Sequence, residues 1–251
     1  MSFAAVISAL ASPKEAMVEQ RVPKKLLLEQ GAPTATDKRQ IQDGIEEINW
    51  VAALKPTNIG VPAFRDEIRE YLEIAVLTVA MRSTAKPPRL IELIHRAIPY
   101  PIVLFTEHRD TINLSLAHKR WSQGEAGKVV IEDGRQVLLN PNATTAEEVS
   151  FLASLAVSRL PVRDLFALYD GLLARLAALE AARLTGVFTP PNSAESAAAV
   201  WAGLDTHARL KRDLAILRAK ADKEKQINRR VELNIDIKRL ETELAATQET
   251  L

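Results

Sequence analysis

Hydrophobic and polar positions change period several times within the first 142 residues. Over 36–54, Ile41, Ile45 and Ile48 recur at helical spacing with charges between them, which predicts a helix. Two prolines and a glycine make 56–64 a loop. The β-rich run 67–81, with Ile68, Tyr71, Ile74, Val76 and Val79, reads as a long central strand. Lys86-Pro87-Pro88 interrupts the chain before a short helix over 89–97 that gathers Leu90, Leu93 and Ile94 on one face. A short apolar strand follows at 101–106. Strict alternation marks another at 111–118, with Ile112, Leu114 and Leu116 on one side and Asn113 and Ser115 on the other. The runs 129–132 and 136–139 flank Asp133-Gly134, a pair suited to the positive φ angles of a tight hairpin turn, so two strands and a hairpin are expected there.

Beyond 143 the strand signal stops. Thr145 and Glu148 form a capping-box pattern for a helix ending near Leu160-Pro161. A second helix over 161–184 carries Leu165, Leu168, Leu172, Leu176 and Leu179 at steps of three and four. A linker at 185–193 and a short helix at 194–204 lead to a final helix over 205–251. One seam in that helix runs Leu210, Leu214, Leu217, Ala221, Glu224, Asn228, Val231 and Ile235. A second runs Leu233, Ile237, Leu240, Leu244, Thr247 and Leu251, offset by two residues. Sustained alternation of three and four is the coiled-coil pattern. The expected fold class is α+β. A small, mostly antiparallel sheet with flanking helices (1–142) precedes a helical region (143–204) and one long coiled-coil-like helix (205–251).

That helix, about 47 residues long, would span roughly 70 Å. The 161–184 helix is about half as long and cannot cover it, so part of the seam is expected to meet a second copy or another protein. Leu210, Leu214, Leu217, Val231, Ile235, Leu240 and Leu244 are the candidate partner-binding residues. Charge adds a second possibility. The formal net charge is only +1, but from Arg209 to Arg239 there are eleven Lys/Arg against five Asp/Glu, and the last twelve residues hold three Glu and no base. Lys211, Arg212, Lys220, Lys223, Lys225, Arg229 and Arg230 are the residues that would contact nucleic acid, because phosphate binding is charge-driven and needs no motif. Interspersed acids leave a solvated face or an acidic protein partner as alternatives.

Composition narrows the classes. Hydrophobic residues make up 47% and aromatics 5%, which favours helix, and there is no cysteine. Disulfides, thiolate metal sites and cysteine nucleophiles are therefore excluded, and a reducing compartment is expected. No run approaches the roughly 18–20 apolar residues of a membrane span. Residues 1–10 lack the basic start of a signal peptide and run into Ser12-Pro13-Lys14-Glu15, which reads as a helix start. A cytoplasmic protein is expected. No phosphate-loop, nucleotide-fold, nucleophile-elbow or zinc-protease motif occurs. His108 and His118, with Glu107 and Asp110, would approach one another across a hairpin, yet none of the four histidines has ligand spacing. A restriction-type nuclease needs an acid on one strand and acid-x-Lys on the next. Glu73 suits the first, but nothing on 101–106 supplies the second. No catalytic residue, metal ligand or cofactor is assigned.

Four segments carry a family resemblance: Val22-Pro23-Lys24-Lys25-Leu26-Leu27; Thr36-Asp37-Lys38 through Ile48-Asn49-Trp50; Ile98-Pro99-Tyr100-Pro101-Ile102-Val103-Leu104-Phe105; and Glu224-Lys225-Gln226-Ile227-Asn228-Arg229-Arg230-Val231-Glu232-Leu233-Asn234. Together they resemble an uncharacterised bacterial family, a domain of unknown function. Its members are often encoded beside SNF2-type helicases and type III-like modification methyltransferases in antiphage or restriction-like islands. The resemblance brings no active-site residues. It implies an accessory subunit of a DNA-processing defence assembly, with a helicase, a methyltransferase or another copy as partner. The alternative is a DNA-binding module or a cryptic metal-dependent nuclease.

Overall fold

Strand-forming residues between 17 and 139 build one six-stranded sheet in order β1-β2-β5-β6-β7-β8 in the computed structural model, which describes residues 3–124 and 129–251, the side chain of Asp133 excepted. The elements run α1 (Phe3–Ser8), β1 (Met17–Arg21), α2 (Lys24–Gln30), α3 (Ala35–Gly44), β2 (Ile45–Leu54), α4 (Pro56–Ile59), β3 (Phe64–Arg65), β4 (Glu70–Tyr71), β5 (Ile74–Met81), α5 (Pro87–Ala97), β6 (Ile102–His108), β7 (Thr111–Trp121), β8 (Val129–Leu139), α6 (Ala146–Ser154), α7 (Leu165–Thr185), α8 (Ala194–Lys223) and α9 (Ile227–Glu249). Only β5 and β6 pair in parallel, across the α5 crossover, and the remaining pairs are antiparallel. The mixed α and β composition and mostly antiparallel sheet agree with the reading of the sequence. Two compact units result, Met1–Leu176 and Ala177–Leu251. Their boundary falls inside α7.

Several local expectations are corrected. The segment 36–54 is half helix and half strand, with α3 ending at Gly44 and Ile45 opening β2. Ile41, Ile45 and Ile48 all still reach the same core, because the two periods coincide over so short a run. Ser12-Pro13-Lys14-Glu15 opens one turn of 3₁₀ helix (Lys14–Ala16) without a side-chain cap, and β1 follows at once. The loop at 56–64 contains α4, closed by Gly60 at φ 69°. Asp133-Gly134 lies inside the continuous strand β8. Leu116 pairs with Arg135 and His118 with Glu132, so two β8 residues oppose Ala117 alone. This is a β-bulge, the other backbone irregularity that such residues tolerate. By contrast, the capping box of Thr145 and Glu148 forms as expected at the start of α6.

The core of the first unit lies against the face of β2, β5 and β6 that α2, α3 and α5 cover, with Leu77, Val79, Leu90, Leu93, Ile94 and Leu104 at its centre. A half-buried ion pair locks two of those helices. Arg89 of α5 grips Asp37 of α3 through Nε–Oδ1 at 2.8 Å and Nη2–Oδ2 at 2.9 Å. Thr34, the α3 N-cap, also donates to Asp37 Oδ2 at 2.7 Å. Such two-point pairing fixes orientation as well as distance. Elsewhere, Arg175 of α7 donates to the carbonyls of Ser154, Gly171 and Arg159. It thereby satisfies the Ser154 carbonyl that the end of α6 leaves open.

In the second unit the expected single helix over 205–251 does not form. A helix from 194 ends at Lys223, Glu224 turns extended, and α9 begins at Ile227. The polar seam positions Glu224 and Asn228 therefore mark a turn and the residue just past it. The two helices fold back antiparallel: Arg218 meets Glu241 at 2.7 Å, and a side chain on Gly203 would touch Leu251. Leu214, Ala221 and Ile237 are buried between them, flanked by Leu217, Leu233, Leu240 and Leu244. Leu214, Leu217 and Ala221 of one expected seam thus pack on Leu233, Ile237, Leu240 and Leu244 of the other. The inference that an over-long helix must overhang a neighbour falls with the helix itself.

Two outcomes follow. The Arg89 guanidinium, with Thr34, holds the Asp37 carboxyl down at about 2. A folded value below the ordinary carboxylate range stabilises the fold fully above that range, and the effect disappears as pH falls toward the folded value. Thermal midpoints of the wild type and Asp37→Asn should differ clearly near pH 6 and converge by about pH 2; a gap that stays constant with pH would contradict the pairing. In the hairpin, Leu214→Ala should destabilise α8 and α9 by about 2–5 kcal/mol. Amide exchange in α9 should accelerate along with that in α8.

Candidate functional site

The short hairpin β3–β4 owes its shape to Asp66. Its Oδ1 accepts from the backbone N–H groups of Ile68 and Arg69 at 2.8 and 2.6 Å, the local bonding by which Asp favours turns. Phe64 stacks on Phe166 of α7 at 4.9 Å between centroids, and Trp121 N–H donates to Ile68 O at 2.7 Å. The hairpin is thereby held against the end of β7. Arg69 then lies 5.5 Å over the Phe166 ring and reaches Glu132 of β8 at 2.9 Å, while Arg120 of β7 takes the other oxygen of Glu132 at 2.8 Å. Burial pushes the Glu132 carboxyl up, but the two guanidinium groups outweigh it and its value falls below normal.

A cleft of about 320 Å³ opens beside this cluster, with Leu72, Tyr100 and Trp121 among its walls. Arg69 and Arg120 line it, as do Glu70 and Glu73, which are engaged by Arg65 at 3.5 Å and Lys55 at 3.0 Å. Among the described lining residues Lys119 alone is buried, at 3% exposure. Its ammonium donates to the carbonyls of Ile98 and Tyr100, the latter at 2.7 Å, which follow the C-terminal end of α5. Burial lowers this amine from the ordinary lysine range to about 7. Sequence reading stopped the strand at His118 and missed it. The signal was the alternation itself, since Asn113, Ser115 and Lys119 share a parity along β7. That face is buried rather than solvated: Asn113 donates to Gln136 at 3.0 Å and Ser115 bonds His95 at 2.9 Å.

The adjoining residue, His118, faces α7. Its Nδ1 lies 2.5 Å from the Tyr71 hydroxyl and its Nε2 2.8 Å from Asp170 Oδ1. Burial pushes the Tyr71 phenol well above its ordinary value, so the hydroxyl keeps its proton and donates to Nδ1, and Nε2 donates to Asp170. Asp–His–Tyr is a chemically suggestive order, but Tyr71 is fully buried among Phe64, Phe166 and Tyr169. No substrate reaches it, and the three residues tie β4, β7 and α7 together. His108 pairs at the opposite end of β7 with Thr111, so it and His118 do not meet. Among the described residues no group of three or more acidic or histidine side chains is placed to hold a metal ion.

Of the residues expected to bind a partner, Leu210 and Leu214 are buried, and Leu217, Leu240 and Leu244 pack inside the hairpin. Val231 and Ile235 are 52% and 63% exposed. They sit two residues out of phase with Leu233 and Ile237, about 200° around α9, and so face away from α8. Ile227, 69% exposed, extends the same stripe. All seven basic residues expected to meet nucleic acid are exposed. Lys220, Lys223, Lys225, Arg229 and Arg230 crowd the hairpin turn, and Lys211 and Arg212 lie further back on α8.

The chain is thus a protein with a helix-covered mixed sheet and a helical hairpin, and no helix among its described residues is long and apolar enough to cross a membrane. It belongs to the family described as Domain of unknown function (DUF4391), whose model matches residues 10–244. No curated protein and no solved structure matches it.

The bulge in β8 leaves Ala117 without a ladder partner, and the Tyr169 hydroxyl fills the gap. It accepts from Ala117 N–H at 2.8 Å and donates to Ile102 O at 2.7 Å. Tyr169→Phe should therefore destabilise the protein by about 1–3 kcal/mol, the cost of an orphaned buried amide. In denaturant unfolding, a loss below a few tenths would show that the hydroxyl is dispensable.

Proposed function

We propose that this protein is an accessory subunit that binds a protein partner through the outer face of its C-terminal hairpin, and that the partner supplies an acidic amphipathic helix. One observation carries this reading. Ile227, Val231 and Ile235 form an exposed stripe at steps of four, next to five cations at the turn with no ion-pair partner among the described residues. Exposed aliphatic residues in a row are what a helix uses to receive another helix. The cations select for an acidic partner and speed its arrival. A phosphate backbone would use the cations but gain nothing from the aliphatic stripe, and the turn carries no aromatic residue on which bases could stack. Direct binding of DNA is therefore the second reading. The sequence resemblance supplies the setting, a DNA-processing defence assembly in which a helicase or methyltransferase subunit is the partner.

An acidic amphipathic helical peptide, built of Leu and Glu heptads, should bind the full-length protein with an affinity that declines with salt. Val231→Asp combined with Ile235→Asp should weaken that binding at least about tenfold without altering the helical circular dichroism signal. Duplex DNA titrated over the same salt series is the competing outcome. Tight DNA binding that the two Asp substitutions leave intact when corrected for their charge, with no peptide binding, would overturn the proposal. So would concentration-dependent self-association abolished by the same substitutions, which would make a second copy the occupant.

A further inference from the structure

The cleft beside β7 poses a separate question, because Lys119 is a buried cation without a counter-anion among the described residues. Its two partners, the carbonyls of Ile98 and Tyr100, are neutral. The nearest acids that line the cleft, Glu70 and Glu73, are held by Arg65 and Lys55. Glu132 is shared by Arg69 and Arg120. A buried charge with no opposite charge is expensive, and proteins keep one where a ligand completes the pair. Arg69 supports the same conclusion: its Nε is buried and bonds to nothing among the described residues, although its Nη2 is engaged. The walls are of another character. Leu72 is exposed, and Tyr100 and Trp121 are half-buried, so they offer flat apolar surface at the mouth. A volume of about 320 Å³ suits a molecule of one or two rings.

We propose that this cleft binds a small organic anion, its acidic group received by Lys119 and the Arg69–Arg120 rim and its flat apolar body resting between Leu72, Tyr100 and Trp121. Binding is non-covalent, and the anion favours the charged amine. Since Lys119 is held near 7 in the empty cleft, occupation is accompanied by proton uptake above that pH. The other titratable groups around the amine do not confuse the linkage. His95 on α5 is held down to about 3 by burial and by Lys119. Burial pushes the Tyr100 phenol up. The Glu70, Glu73 and Glu132 carboxylates and the two arginines are already paired.

Benzenesulfonate is a suitable probe because its charge is constant across the pH range, and benzenesulfonamide is its neutral counterpart. Binding is read from quenching of tryptophan fluorescence, to which Trp121 contributes, and from the rise in thermal midpoint. The sulfonate should bind and the sulfonamide should bind at least about tenfold more weakly. Sulfonate affinity should fall about tenfold for each pH unit above about 7. Lys119→Met should remove the pH dependence and reduce the preference for the anion to what the Arg69–Arg120 rim retains. Should that variant fail to fold, Leu72→Glu decides: both probes lose the same wall contact, but the carboxylate it sets at the mouth should weaken the sulfonate about tenfold more than the sulfonamide. No sulfonate binding at millimolar concentration, equal binding of the two probes, or a flat pH profile would each overturn the proposal.

Discussion

The Tyr169 hydroxyl sits at the one place where the β7–β8 ladder loses a step. Two residues of β8, Asp133 and Gly134, oppose only Ala117, which leaves a backbone amide in the interior with nothing to bond. Tyr169 reaches it from α7 and passes its own proton to Ile102 of β6, so one side chain joins a helix to two strands. His118 turns toward Asp170 and Tyr71 on the α7 side, and Lys119 turns the other way, toward the end of α5. The extra residue sits on β8, so the alternation of β7 passes it unbroken and places His118 and Lys119 on opposite faces, while the register of β8 depends on this one irregular pairing.

This dependence explains what could be read from the sequence and what could not. The alternation at 111–118 identified β7 correctly, and Thr145 with Glu148 identified the start of α6, because both signals are local. Asp133-Gly134 is local too, but it admits two geometries. Its flanking runs look alike whether the chain reverses there or carries on past an extra residue, and only pairing with β7 decides. The segment 36–54 failed for a related reason: Ile41, Ile45 and Ile48 face the core in a helix and also in a helix that gives way to a strand. Lys119 was passed over because a lysine near a strand end reads as solvent-facing until α5 is placed over it.

The C-terminal hairpin shows the opposite failure, in which the pattern was right and its geometry was not. Glu224, Lys225 and Gln226 contain neither glycine nor proline, so nothing in the local chemistry stops a helix, and the three-four spacing carries across the turn unbroken. Two seams offset by two residues read as one long helix. Their offset has a simpler cause once the chain reverses. Leu233, Ile237, Leu240 and Leu244 are the inner lining of α9, matched to Leu214, Leu217 and Ala221 of α8. Val231 and Ile235 belong to the outside. What survives on the outside is an exposed aliphatic stripe, shorter than the sequence suggested, and the proposed binding rests on it rather than on helix length.

The cations of this chain divide by the same criterion of burial. Those at the hairpin turn are exposed, so water already solvates them, and their contribution to binding is mainly long-range attraction that salt weakens. Lys119 has been taken out of water, and a partner for it replaces no hydration. An anion that reaches it meets a field little screened by solvent, in a cleft whose aromatic walls exclude the competing water. The turn is suited to gathering a macromolecule over a broad surface, whereas the cleft is suited to discriminating one small molecule from another by a single charge.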